Sequence, residues 1–493
     1  MKSHALLIKK YLEQTSLVDA NIISFNNFIE HHIQQIVKEI GDIIPTVIPQ
    51  DCEDFRVKME KIWITKPSII EADGSKRDIY PMDARLRRIT YSAPLHLEIS
   101  VHIDGVQRES FSTQIGRIPI MLKSKYCHLT GLNEQELIGK GEDPHDTGGY
   151  FILNGNERVL ITVEDLAGNR LFVEQNKVGP IKYTGKLFSE KGSYRVPHVL
   201  EQTRDGIISL SFTRFTKIPV ITVIKALGIL KDSEIVNTIS GDKQYDDIFI
   251  NLYHAIDVKN EEDALEAVAK RVGFTQPKEV RLEKVKENLD RYLLPHLGVD
   301  PKLRKEKAIN LCKLLKKFLI ISKEDIKSQD KDHYINKRLK LSGDLLTDLF
   351  RVNLRALVND ILYNFQRLVK REKFQSIKII IRDKLLTSRI NSAMATGVWV
   401  GGRKGLSQNM ERTNYLATLS HLQRVVSLLS SNQENFAARA LHPTHFGRLC
   451  AIETPEGTSI GLRKNLALMC NITQGEHSDQ KTKKTLEGLG LQP

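Results

Sequence analysis

A chain of 493 residues is too long for one hydrophobic core and points to two to four domains. With 41% hydrophobic residues it has the apolar content to fold, and its formal net charge of +13 favours an anionic partner, nucleic acid first. Cys52, Cys127, Cys312, Cys450 and Cys470 form no Cys-x-x-Cys pair, which argues against a structural zinc site and fits reduced intracellular thiols.

The start, MKSHALLIKKYLEQ, lacks the uninterrupted apolar run of a signal peptide. The longest apolar stretch, Ile218 to Leu230, is broken by Lys225 and too short for a bilayer. A soluble, cytoplasmic protein with no membrane partner is expected. The first element is an amphipathic helix. Ile22, Phe25, Ile29, Ile33, Ile36 and Ile40 recur at steps of three and four, with Asp19 as N-cap and Gly41 as stop.

Strands follow. Ile89 and Tyr91, then Leu95, Leu97, Ile99, Val101 and Ile103, alternate with polar residues up to a hairpin turn at Asp104-Gly105. Tyr150 to Leu153 and Arg158 to Val163 predict two more strands joined through Asn154-Gly155. Residues 170–230 stay strand-like, and 260–325 turn helical as a second domain. The clearest helix carries Leu346, Phe350, Leu354, Leu357, Ile361, Phe365 and Leu368 on one stripe. Ser342 stands as its cap, and Arg351, Arg355, Arg367 and Lys370 lie off the stripe. Beyond about residue 391 the chain becomes loop-rich, and a polar tail follows Thr473.

Charge is concentrated. Residues 331–424 hold 18 Lys and Arg against 7 Asp and Glu, nearly all of the excess. A concentrated positive surface is a better nucleic-acid signal than a diffuse one. The glycine-rich stretch Gly397-Val-Trp-Val-Gly-Gly-Arg-Lys-Gly405 resembles a phosphate loop. However, Arg403 and Lys404 stand where Lys and a magnesium-binding hydroxyl are needed, so an NTPase is excluded. A basic loop touching nucleic-acid phosphate and a plain surface turn both remain. Asp330 and Asp332 read as an exposed acidic turn rather than a two-metal pair. His442 and His445, with Pro443 between them, read as structural hydrogen-bonding residues rather than metal ligands. Nothing in the residues themselves gives this chain a catalytic site or a metal site.

The segment His442-Pro-Thr-His-Phe-Gly-Arg-Leu-Cys-Ala-Ile-Glu-Thr-Pro-Glu-Gly-Thr-Ser-Ile-Gly-Leu462 resembles a signature of the second-largest subunit of multisubunit DNA-directed RNA polymerases. Ser24 to Ile29, Asp83 to Tyr91, Ile115 to Lys123, Gly148 to Arg158, Asp332-His333 with Lys337-Arg338, and Ser407-Gln408 with Leu419 to Arg424 resemble further segments of that family, in order. A full-length member runs on for several hundred residues, so the expectation is the N-terminal half of an archaeal split form.

The resemblance implies an α+β multidomain fold. Its parts would be a protrusion over 1–170 returning at 339–392, a lobe over 171–338, a fork over 393–475 and a polar tail over 476–493. It implies templated RNA synthesis from NTPs, with Mg2+ held mainly by an Asp cluster of the largest subunit and no catalytic residue here. This chain would line the DNA cleft and help keep the strands apart. Arg403 and Lys404 would lie near the upstream end of the RNA–DNA hybrid, and the Ser427–Phe436 loop near downstream strand separation. Gln408, Arg424 and Arg439 would face nucleic acid, with Glu453 and Glu456 close to the active centre. Implied partners are the C-terminal half of the subunit, the largest subunit, other core subunits, the DNA template, the RNA–DNA hybrid and basal transcription factors. The readings from other classes are a stand-alone basic nucleic-acid-binding protein and an independent polymerase or nuclease built on Asp330 and Asp332.

Overall fold

The amphipathic stretch begins as a helix at Asp19–Asn27, widens into a π turn at Phe28–His32 and resumes at Ile33–Ile40. A π turn adds a residue to the ring and re-aims the buried stripe, so Phe25, Phe28, Ile29, Ile33 and Ile36 all reach the core. The expected cap is corrected. Val18 occupies the N-cap, and Asp19 is already helical, its carboxylate accepting the Ser16 N–H at 3.0 Å. Gly41 ends the element at φ +69°.

In this computed structural model the described residues are 2–49, 52–176, 178–191, 194–240, 245–323, 330–371, 376–432, 434–473 and 479–491. They divide into two compact units, one of residues 1–165 with 339–493 and one of residues 166–338. Helix and sheet are mixed in both. Among the described residues no helix is long and apolar enough to cross a membrane.

In the first unit a three-stranded antiparallel sheet runs in the order Phe55–Ile64, Ser92–Ile103, Val106–Pro119. Ile103 pairs with Val106, so Asp104 and Gly105 alone make the turn. Their φ values of +51° and +77° suit the twist of a two-residue hairpin. The same device, at Asn154-Gly155, joins Phe151–Leu153 to Asn156–Leu160, and a separate strand follows at Thr162–Leu166.

The long helix Ser342–Val369 packs on the helices Asp19–Asn27 and Asp383–Thr396, the second of which lies against the Val106–Pro119 strand. Its cap also differs from expectation. Leu341 is the N-cap, and the Asp344 carboxylate accepts the Leu341 N–H at 3.0 Å. Ser342 instead donates its hydroxyl to the Asn21 carbonyl at 3.1 Å. Gly343 donates its N–H to Ser24 Oγ at 3.1 Å, and any Cβ there would collide with the Ser24 carbonyl, so only glycine allows this approach. Aromatic rings weld the segments together. Phe25 lies edge-on to Phe151 at 5.6 Å, Phe28 to Phe350 at 6.1 Å, and Phe55 stacks on Phe365 at 4.8 Å.

The second unit is built on a five-stranded antiparallel meander, Leu171–Gln175, Ile181–Lys191, Tyr194–Thr203, Ile208–Phe212 and Phe215–Pro219. Helices follow, among them Glu261–Val272, Lys278–Tyr292 and Arg304–Lys323. Its core is its own, with Phe318, Leu315, Leu289 and Val268 among the fully buried side chains. Within it His198 is boxed in, its Nε2 accepting the Leu294 N–H at 3.1 Å and its Nδ1 facing the Val196 carbonyl at 3.0 Å.

Candidate nucleic-acid interface

The candidate residues lie on the loop-rich stretch after residue 391, which the first unit holds by short strands. Ser407–Asn409 pairs antiparallel with Arg158–Leu160. Arg424–Ser427 runs parallel to the strand at Thr162 and antiparallel to Arg463–Asn465.

The glycine-rich segment folds back on itself. Trp399 is buried, its indole N–H donates to the Leu345 carbonyl at 2.8 Å, and its main-chain N–H donates to the Arg403 carbonyl at 2.7 Å. Gly397 is left-handed at φ +73°, and a Cβ there would sit 2.8 Å from the Ser407 carbonyl oxygen. The loop is therefore pinned at its base, while Gly401, Gly402 and Gly405 border open space. Lys404 is exposed at the tip. Arg403 is half-buried and reaches Asp165 Oδ2 at 3.3 Å.

A second group gathers around the helix Tyr415–Leu422. His421 is buried and takes the Glu411 N–H on Nδ1 at 3.1 Å, which leaves Nε2 to donate to Gln408 Oε1 at 3.2 Å. Gln408 donates in turn to the Gly405 carbonyl at 3.0 Å and so ties this group to the loop. Burial, helped by the charge of Arg424, pushes the His421 imidazole down to about 4, so it stays neutral at physiological pH. Arg424 lies 3.5 Å from Glu411 Oε2, longer than a strong charge-assisted bond. Ser420 Oγ donates to Glu453 Oε1 at 2.5 Å, and Asn465 Nδ2 donates to Ser420 Oγ at 2.9 Å. Gln408, Arg424 and Glu453 are thus brought together.

Arg439 and Glu456 sit apart from that group. Arg439 directs its guanidinium at main-chain carbonyls, Thr458 at 2.7 Å, Ile460 at 3.0 Å and Ser431 at 2.8 Å. It thereby staples the loop after Ser427 to the Glu-Thr-Pro-Glu-Gly turn; Gln433 of that loop lies outside the described residues. Glu456 is exposed and precedes the short turn Gly457–Ser459. In the polar tail, Asp479–Gly488 is helical, while residues 474–478 and 492–493 lie outside the described residues. His442 Nδ1 accepts the Thr444 N–H at 3.2 Å and His445 Nδ1 the His442 N–H at 3.4 Å, a hydrogen-bonded turn. Asp332 pairs with Lys337 at 3.4 Å and donates its N–H to Asp330 at 2.8 Å.

The profile of the family described as RNA polymerase beta subunit matches residues 16–388, and that described as RNA polymerase Rpb2, domain 3 matches residues 408–472. The chain belongs to the RNA polymerase beta-subunit family. It is 42% identical to DNA-directed RNA polymerase subunit Rpo2N of Methanocaldococcus jannaschii over 98% of each chain. It is 38% identical to Rpo2N of Halobacterium salinarum over 99% of this chain and 95% of that one. Against DNA-directed RNA polymerase subunit Rpo2 of Saccharolobus solfataricus it is 43% identical over 99% of its own length but only 43% of that relative's, so it spans less than half of this longer form.

Within this beta-subunit family member, several residues of the candidate interface carried no signal in the sequence. Arg412 bridges Asp146 at 3.0 Å and Glu157 at 2.7 Å, Glu157 also takes Arg85 at 2.9 Å, and Arg85 and Asp146 meet on the Tyr150 hydroxyl at 2.8 Å each. This network fixes the 407–414 stretch to the first strands. Arg412 lies more than 250 residues along the chain from both carboxylates it meets, a pairing that neither periodicity nor spacing encodes.

Proposed function

We propose that the chain lines the DNA cleft of an archaeal RNA polymerase, the 393–475 stretch acting as a fork that guides nucleic acid beside the active centre. In this reading residues 1–170 and 339–392 form a protrusion and 171–338 a lobe. Arg403, Lys404, Gln408 and Arg424 face nucleic acid. Arg439 orders the loops that Glu453 and Glu456 carry toward the active centre. Arginine suits the role because its planar fork donates two bonds to one phosphate.

The observation that supports this best is the surface of the fork itself. Leu416, Phe436, Ile452 and Met469 are 75%, 85%, 89% and 69% exposed. Apolar side chains so bare on a polar segment mark a surface built to be covered. In this reading the C-terminal half of the subunit covers that surface. The largest subunit, other core subunits and basal transcription factors complete the proposed assembly, with DNA template and RNA–DNA hybrid in the cleft.

Among the described residues no three His, Cys, Asp or Glu side chains gather as a metal ion requires. In this reading the Mg2+ ions that stabilise the attacking and leaving oxygens of nucleotidyl transfer are held mainly by the largest subunit. The test is reconstitution. The purified chain alone incorporates no NTP, whereas the complete set of subunits transcribes a premelted scaffold only when this chain is added. Incorporation by the chain alone, or unchanged transcription without it, would overturn the reading.

A further inference from the structure

A cavity of about 290 Å³ lies wholly within the second unit, lined by Thr213, Arg214, Phe215, Phe274, Asn288 and Tyr292. Three elements build it. Phe212 pairs with Phe215, so Thr213 and Arg214 alone turn the hairpin between the last two strands of the meander. Thr213 stands at φ +47°, a left-handed position that strains a β-branched side chain and ordinarily takes glycine. Strain of this kind gathers at ligand sites. Phe274 follows the helix Glu261–Val272, with Gly273 left-handed at φ +83° and the Phe274 N–H donating to the Ala269 carbonyl at 3.2 Å. Asn288 and Tyr292, four residues apart, share one face of the helix Lys278–Tyr292.

The lining combines flat rings with a few polar groups. His198 stacks on Phe212 at 5.4 Å, and Phe212 lies nearly parallel to Phe215 at 4.7 Å, so Phe215 ends a stack of three rings at the cavity. Phe274 and Tyr292 are half-buried. Asn288 Nδ2 donates to the Lys284 carbonyl at 2.7 Å, which leaves Oδ1 to accept. Thr213 adds a hydroxyl. Arg214 is exposed, and among the described residues it makes no ion pair or hydrogen bond. The lining therefore holds one unmatched cation and no carboxylate.

We propose that this cavity binds one nucleoside monophosphate, its base against the rings and its phosphate on Arg214. Aromatic side chains accept a base through its π-face. A guanidinium donates two bonds to one phosphate. Thr213 and Asn288 suit the hydroxyls of a sugar, which a plain aryl acid lacks. A single cation matches one phosphate rather than three. The volume is near the lower end for small-molecule sites, roughly 300 Å³, and leaves no room for a strand. The site needs no residue of the proposed fork, so it stands independently of the polymerase reading.

The test is equilibrium dialysis of the full chain against radiolabelled AMP and adenosine. Saturable binding of one AMP per chain is expected, with ATP bound no more tightly. Arg214→Gln, a change at an exposed side chain, weakens AMP about tenfold and leaves adenosine unchanged. Phe274→Ala weakens both about tenfold. An unchanged melting temperature verifies the fold of each variant, and Arg214→Gln decides alone if Phe274→Ala is destabilised. Arg403→Gln with Lys404→Gln leaves AMP binding intact. The proposal is overturned if none of the four ribonucleoside monophosphates saturates below roughly 1 mM, or if Arg214→Gln binds AMP like wild type. Phenyl phosphate binding as tightly as AMP overturns the nucleoside assignment, and an RNA dinucleotide binding more tightly than AMP makes the cavity a strand site instead.

Discussion

Lys464 Nζ lies 2.6 Å from Glu164 Oε1, and both side chains are buried. The two residues belong to the strands on either side of Arg424–Ser427, so the ion pair ties the neighbours of the central strand across it. Removing one partner of such a pair leaves a buried charge without compensation and costs about 3–5 kcal/mol, while replacing both by apolar groups costs little. Lys464→Met is expected to lower the denaturation midpoint of the purified chain sharply. Adding Glu164→Leu to it recovers most of the loss. Equal midpoints for Lys464→Met and wild type in urea titrations would contradict this.

Gly397 and Gly401 offer an internal comparison. Both are left-handed, at φ +73° and +78°, but only Gly397 faces an oxygen where a Cβ would go. Alanine in the left-handed region costs roughly 1–2 kcal/mol. Gly401→Ala is expected to show that cost alone. Gly397→Ala adds a clash with the Ser407 carbonyl and unpins the loop. Limited proteolysis between residues 397 and 407 should therefore be faster for Gly397→Ala; similar rates for the two variants would show that the loop base is not fixed in this way.

Arg424 is half-buried, with one distant carboxylate at 3.5 Å, which leaves its guanidinium available. Arg424→Ala is expected to assemble normally and to bind a premelted DNA–RNA scaffold more weakly. The salt slope should fall by about one. Reduced assembly with an unchanged slope would assign the residue to the fold instead.

His198 predicts acid sensitivity in the second unit. Burial above all, and the nearby His296, lower its imidazole to about 4. The folded state keeps it neutral, because Nε2 must accept from Leu294. The unfolded state binds a proton near pH 6.5, so stability is fully present above that value and falls as pH drops toward 4. The full loss is roughly 3 kcal/mol, and about 2 kcal/mol of it has gone by pH 5. Hydrogen-exchange protection of the strand Tyr194–Thr203 should fall roughly 30-fold between pH 7 and pH 5 after correction for intrinsic rates. His198→Gln should flatten that dependence. If the substituted protein keeps the same pH profile, another group is responsible.

What could be read from the sequence was what nearest neighbours decide. Asp104-Gly105 and Asn154-Gly155 fix their hairpins because two left-handed residues admit only one twist. The 342–369 helix follows from its apolar period. The π turn at Phe28–His32 was not legible, since packing of Phe25 and Phe28 on distant rings decides it. Ser342 looked like a cap, but a carbonyl 321 residues away claims its hydroxyl. The concentration of basic residues at 331–424 was a linear count. In three dimensions Arg351, Arg382, Arg403 and Arg412 each meet a carboxylate, and for all but Arg382 that carboxylate is more than 200 residues away in the chain, so the free charge narrows to a few side chains.

The insertion of residues 166–338 into the first unit bears on how the chain is made. The rings of Phe28 and Phe55 wait for Phe350 and Phe365, which emerge from the ribosome much later. At about 5–20 residues per second, translation from Asp165 to Phe350 takes roughly 10–40 s. For that interval the nascent N-terminal sheet has the helix Ile33–Ile40 on its Phe55–Ile64 strand but lacks the helix Asp383–Thr396 that packs on Val106–Pro119, while the contiguous insert can already complete its own core. The newborn polypeptide is therefore a client for chaperones during a defined window. Slowing elongation before residue 350 should lengthen that exposure and lower the soluble yield.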